Sequence, residues 1–157
     1  MEEALNIART LGRAAEARGP YCWGHAERVA ILAAEIAIEM GLSKEEIGGI
    51  QIAGMLHDVG KVYIRDEILL KPDRLTPSEW TEVKRHPASG VQIIKNLDCF
   101  KGAIPLVQSH QEWYDGSGYP DRLKGDEIPL GARQLPVAAA YDAMTSPRPY
   151  RARLPEE

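Results

Sequence analysis

The chain has 157 residues, 44% hydrophobic and 27% charged, with a formal net charge of −4. It is one domain's worth of ordinary globular composition, and it lacks any apolar run of the roughly 18 residues that a membrane helix needs. The acidic balance disfavours nonspecific nucleic-acid binding, although Arg148, Arg151 and Arg153 make a local basic patch.

The start, "MEEALNIART", has neither the basic region nor the apolar stretch of a signal peptide. Cys22 and Cys99 are too few and too far apart for a disulfide framework or a zinc ribbon, so both are expected to be reduced, structural residues of a cytoplasmic protein.

Helical periodicity runs through the chain, and no convincing alternating strand is found. Leu5, Ala8, Leu11 and Ala15 form the apolar stripe of a first helix, ended by Gly19-Pro20. A second helix is predicted over 26–40, with Val29, Leu32, Ala33, Ile36 and Ala37 on one face and Gly41 as its stop. Ser43 and Glu46 make a capping box for a third, which runs through Ile47, Ile50 and Ile52 toward His57 and is closed near Gly60. After a polar loop at Lys71-Pro72-Asp73, Thr76, Pro77 and Glu79 open a fourth, in the order of cap, first-turn proline and capping acid. Further helices fit 88–96, 104–113 and about 130–145, with a long turn-rich loop before the last. A helix that begins at Pro136 would avoid the roughly 3 kcal/mol cost of an internal proline. The expectation is an all-α bundle. The ending "SPRPYRARLPEE" carries no helix-stop signal, so the chain is expected to be a piece of a longer protein.

The chemistry centres on "AGMLHDVGK", residues 53 to 61, where an apolar helix finishes on His57 and Asp58. The chain has four histidines: His25 opens the second helix, His57 ends the third, His86 ends the fourth and His110 lies within a later one. A lone helical histidine is as a rule a surface or satisfied core residue. Adjacent imidazole and carboxylate, however, offer one transition-metal ligand and one group able to bridge two ions, at a helix end whose dipole favours a cation. Lys61 follows, either as a solvated lysine or as a positive charge placed for a substrate phosphate.

Taken together, "GHAERVA", "HDVGK", "KRHP", "HQEWYDGSGYP" and "YDAMTSPRPYR" resemble, in order and spacing over about residues 20–151, the HD-GYP branch of the HD phosphohydrolase superfamily. The resemblance implies an HD-superfamily helical bundle, with the C-terminal helices of the family fold absent from this chain. It implies a centre of two or three divalent transition metals, iron or manganese, and hydrolysis of cyclic di-GMP to pGpG or GMP. Proteins of this type usually join the domain to a receiver or sensor domain. By position, His25, His57 and Asp58 match ligands of a first metal. Asp58 bridges to a second, matched by His86 and His110. Lys61 matches the phosphate-side lysine, and Arg148 and Arg151 are further candidates for substrate phosphates. Gly118-Tyr119-Pro120 matches the loop discussed as a partner-docking surface, though Gly and Pro also punctuate any plain turn.

Two positions depart from the pattern. Gln111 stands where the family has a second histidine, and Ala139 stands where it has a metal-binding aspartate. Asp142, one helical turn on, matches the motif's second aspartate and is not expected to substitute for the first. Alanine cannot coordinate, and a neutral amide is a poor replacement for imidazole. The expectation is therefore a phosphodiesterase-type domain with weakened activity and one or two ions, held substoichiometrically. The alternative is a non-catalytic module that senses cyclic di-GMP or docks a protein through the loop at Tyr119.

Overall fold

Both capping boxes read from the sequence form. Ser43 Oγ accepts the Glu46 N–H while the Glu46 carboxylate accepts the Ser43 N–H, and Thr76 and Glu79 do the same. The computed structural model describes residues 1–19 and 23–146. Among them run α1 (Glu2–Glu16), α2 (His25–Glu39), α3 (Lys44–Leu56), α4 (Asp66–Leu69), α5 (Pro77–Val83), α6 (His86–Ile94), α7 (Ile104–Ser109) and α8 (Leu130–Thr145). Three 3-10 turns lie at Val59–Tyr63, Asp98–Phe100 and Gly125–Glu127, and no described residue is in a strand. No described helix is long and apolar enough to cross a membrane.

Helix α2 is the hub, packing on α3, α8 and α1. Its Val29, Ala30, Ala33 and Ala37 join Ile50, Ala53 and Leu56 of α3 and Leu135 and Ala138 of α8 in one buried cluster. Truncating a side chain as enclosed as Leu56 to alanine would cost about 2–5 kcal/mol. Small residues set the spacing: a Cβ on Gly54 would lie 2.6 Å from the Cα of Ala30, so α3 and α2 meet nearly backbone to backbone.

Several expected boundaries change, each for a local reason. His86 does not end the fourth helix. Helix α5 stops at Val83, and His86 is the first residue of α6, where Pro87 suits the first turn. The helix expected over 104–113 stops at Ser109, leaving His110 as its C-cap. Nor does Gly60 close α3. The chain turns directly into the 3-10 turn Val59–Tyr63, and short α4, not foreseen, precedes the expected loop at Lys71-Pro72-Asp73. Helix α8 does not begin at Pro136 but runs through it, with the ring on the exposed side of the helix. Cys99 is a free, exposed cysteine, and Cys22 lies outside the described residues.

Candidate metal centre

Each histidine sits at a helix end. His57 caps α3, His86 opens α6, His110 caps α7 and His25 opens α2. The packing of the 3-10 turn on α6 carries Asp58 to His86. That packing requires Gly60, where a Cβ would collide with the His86 carbonyl and the Gly90 backbone nitrogen.

The result is two triads, His25–His57–Asp58 and Asp58–His86–His110, each with ligand-capable atoms within 4.8 Å of one another. All five residues expected to hold metal are thus brought together, with Asp58 shared. His57 Nε2 lies 3.5 Å from one Asp58 oxygen and His86 Nε2 lies 3.6 Å from the other.

Hydrogen bonding fixes which ring nitrogens are free. His57 Nδ1 is 2.7 Å from the Gly54 carbonyl, and the Nδ1 atoms of His86 and His110 are each 2.8 Å from the carbonyls of Val83 and Val107. A carbonyl only accepts, so each Nδ1 carries the hydrogen and each Nε2 keeps its electron pair. His86 Nε2 and His110 Nε2 nevertheless lie 3.1 Å apart. Two electron pairs at that distance repel unless a cation lies against both, and this donor set fits a divalent transition metal.

Ionisation points the same way. Burial pushes His57 and His86 below the ordinary imidazole range and His110 down to about 3, so all three are neutral at physiological pH. Burial alone would raise Asp58, but the ammonium of Lys61 beside it holds it well below the usual carboxylate range. Neutral imidazoles around a carboxylate are the protonation states that metal binding needs.

Lys61 does not simply extend toward solvent: its Nζ donates to Asp58 Oδ2 at 2.6 Å. Gln111 and Ala139 are both half-buried. Asp142, only 2% exposed, accepts from His25 Nδ1 at 2.7 Å, from Arg28 and from Ser146. Burial opposes its charge, and these donors keep its carboxyl below the usual range. Arg148 and Arg151 lie outside the described residues.

The supporting residues were not singled out from sequence. Buried Glu16 accepts the backbone N–H groups of Gly24 and Ala26, and so caps the start of α2 beside His25 from ten or fewer positions upstream. Arg18 donates to the carbonyls of Lys61, Val62 and Ile64 and to Asp66, clamping the turn that follows Asp58. Buried Glu112 accepts the N–H groups of Asp121 and Leu123 and shapes the loop between α7 and α8. No local sequence signal marks Glu16 or Glu112, because the N–H groups that each accepts lie 8 to 11 positions away. That loop brings Tyr119 against His86, with ring centroids 6.3 Å apart, and Lys84 Nζ sits 5.6 Å from the Tyr119 ring. Gly118 is buried and Pro120 half-buried, and the Tyr119–Pro120 peptide is cis. Burial and Asp58 push the Tyr119 hydroxyl up to about 12.

Known proteins resemble the chain in sequence and in fold. The HD domain family model matches residues 9–157. The chain is 44% identical over 144 residues to the cyclic di-GMP phosphodiesterase response regulator RpfG of Xanthomonas campestris, covering 90% of this chain and 38% of that protein. It is 38% identical over 149 residues to 3'3'-cGAMP-specific phosphodiesterase 3 of Vibrio cholerae, covering 95% of this chain and 32% of that one. It therefore spans well under half the length of either relative. Among solved structures, Bd1817, an HDG"Y"P protein from Bdellovibrio bacteriovorus, shares the fold with a TM-score of 0.61 at 22% identity, covering 76% of this chain and 40% of that one.

Proposed function

The chain belongs to the HD domain family, on its HD-GYP branch, and from that premise we propose that it is a metal-dependent phosphodiesterase-type hydrolase domain acting on a cyclic dinucleotide, with cyclic di-GMP as first candidate. The observation that carries the reading is the pair of triads joined through Asp58, with the Nε2 atoms of His86 and His110 turned toward each other. His25, His57 and Asp58 would hold one ion, and Asp58, His86 and His110 the other. When bound, iron or manganese supplies Lewis acidity toward phosphoryl oxygens and activates the attacking water. The protein's part is positional and electrostatic. Asp58 orients both triads, and the ammonium of Lys61, beside it, offers positive charge to a phosphoryl oxygen. Tyr119 walls the His86 side, while Trp113 and Tyr114, 62% and 63% exposed, offer planes on which guanine can stack. Two relatives named for cyclic di-GMP and for 3'3'-cGAMP support a cyclic dinucleotide as the substrate class.

Activity in this form is proposed to be weak. Gln111 and Ala139 occupy positions where the branch carries ligands, and losing even an outer partner of a metal ligand costs roughly 10–100-fold in affinity or activity. Three protein ligands with an open position still hold a hydrolytic metal elsewhere, so binding outlasts cleavage. The second reading is a domain that senses the dinucleotide without cleaving it, or docks a protein through Gly118-Tyr119-Pro120. The alanine at position 139 favours it.

Calorimetry with cyclic di-GMP and with 3'3'-cGAMP, in manganese or ferrous buffer, with chromatography of the products, separates these. Binding that weakens with salt and with Lys61→Ala, with slow cleavage, supports the first reading. Binding without cleavage supports the sensor. No binding up to millimolar ligand would defeat both and leave protein docking.

A further inference from the structure

The four imidazoles are not held alike. His57, His86 and His110 each follow the last turn of a helix and give Nδ1–H to a carbonyl three residues back. Last-turn carbonyls have no partner within the helix, so an acceptor is locally at hand. His25 is the first residue of α2. A helix start presents N–H groups, not carbonyls, and among the described residues no backbone carbonyl accepts from this ring. Its Nδ1 meets instead a carboxylate 117 positions away, that of Asp142 in the last turn of α8. Arg28, one turn beyond His25 on α2, grips both oxygens of that carboxylate, and Ser146 Oγ donates to one of them at 2.9 Å.

We propose that Asp142 is a positioning residue that fixes His25 as the Nδ1–H tautomer, keeping Nε2 free as the coordinating nitrogen, with Arg28 and Ser146 holding the carboxylate in place. The centre's first triad then depends on the last turn of α8. The consequence for metal rests on the metal-centre reading given above, whereas the tautomer does not. Asp142 thereby supports a ligand instead of replacing the aspartate missing at Ala139. A carboxylate behind an imidazole also strengthens it as a donor.

The test begins with the full, 15N-labelled, metal-free chain at alkaline pH. Long-range proton–nitrogen correlation should show His25 protonated at Nδ1. Asp142→Ala and Asp142→Asn should move His25 toward the Nε2–H form while His57, His86 and His110 keep theirs. Calorimetric manganese affinity should fall roughly 10–100-fold. Arg28→Gln, which leaves the carboxylate in place but loosens it, should give a smaller shift of both. A wild-type His25 in the Nε2–H form overturns the proposal without any variant. A folded Asp142→Ala protein with an unchanged His25 tautomer or unchanged manganese affinity overturns it as well. If Asp142→Ala does not fold, the wild-type spectrum and Arg28→Gln still decide. Failure of the wild type to bind metal, with His25 protonated at Nδ1, would sink the metal-centre reading and leave the tautomer assignment standing.

Discussion

His86 and His110 face each other nitrogen to nitrogen, Nε2 to Nε2 at 3.1 Å, while each gives its Nδ1–H to a backbone carbonyl. The contact is repulsive in the metal-free protein and becomes favourable when a cation binds both. Manganese, ferrous or zinc ions should therefore raise the melting temperature. An excess of about 100 times the dissociation constant would add roughly 2.7 kcal/mol. His86→Ala or His110→Ala should remove most of the shift in a thermal melt, and an unchanged shift would show that the ion sits elsewhere.

Restoring the missing ligands should strengthen the centre. Ala139→Asp with Gln111→His is expected to raise both metal content, by elemental analysis, and cyclic di-GMP hydrolysis, with each single change giving less than the pair. The Gln111 carbonyl, which accepts the Tyr119 N–H at 3.1 Å, is untouched by the substitution. The parent should retain less than a full pair of ions after mild chelation. A full pair retained by the parent would mean that these two positions matter little.

Glu112 holds the loop on which Tyr119 is carried. Glu112→Ala removes two charge-assisted acceptor bonds, to the N–H groups of Asp121 and Leu123, and should cost about 3 kcal/mol in urea unfolding. Tyr119 should also become more accessible, which solvent perturbation of tyrosine absorbance can follow. A loss within 0.5 kcal/mol or so, as for a plain surface change, would contradict the role.

Gly60 is required by close approach. In Gly60→Ala the methyl group meets the His86 carbonyl and the Gly90 nitrogen, both backbone atoms that cannot swing aside. The 3-10 turn must then lift off α6, moving Asp58 away from His86. A loss of about 3 kcal/mol or more is expected, together with weaker manganese binding, and wild-type values for both would refute the packing account.

Stability without metal should fall in acid from an imidazole cause. His57, His86 and His110 are all depressed by burial, His110 to about 3. The unfolded chain takes up protons near the ordinary imidazole value of about 6.5, while the folded chain does not. The unfolded state then binds more protons, so stability rises with pH across this window. It is complete above about 6.5 and is lost progressively as pH falls toward about 3. Urea midpoints of metal-free protein should drop between those limits, and a flat profile there would contradict the burial of neutral rings.

Much of the fold was decided within a few residues of chain. The capping boxes at Ser43 and Thr76 and the apolar stripe of α2 are contacts between positions three or four apart, so the sequence alone determines them. The His57-Asp58 pair and the spacing of the five motifs were likewise enough to indicate the branch and to nominate five candidate ligands, which the fold brings together. Tertiary structure decided the rest. Whether His86 ends one helix or opens the next depends on the packing of α6 against the turn at Gly60. That Lys61 holds Asp58, that Tyr119 stands against His86 and that Asp142 serves His25 also needed the fold. The tautomer and charge of a buried group are set by whichever donor or acceptor the fold brings within hydrogen-bond reach. For His25 that acceptor is 117 positions away, beyond what any local pattern can specify.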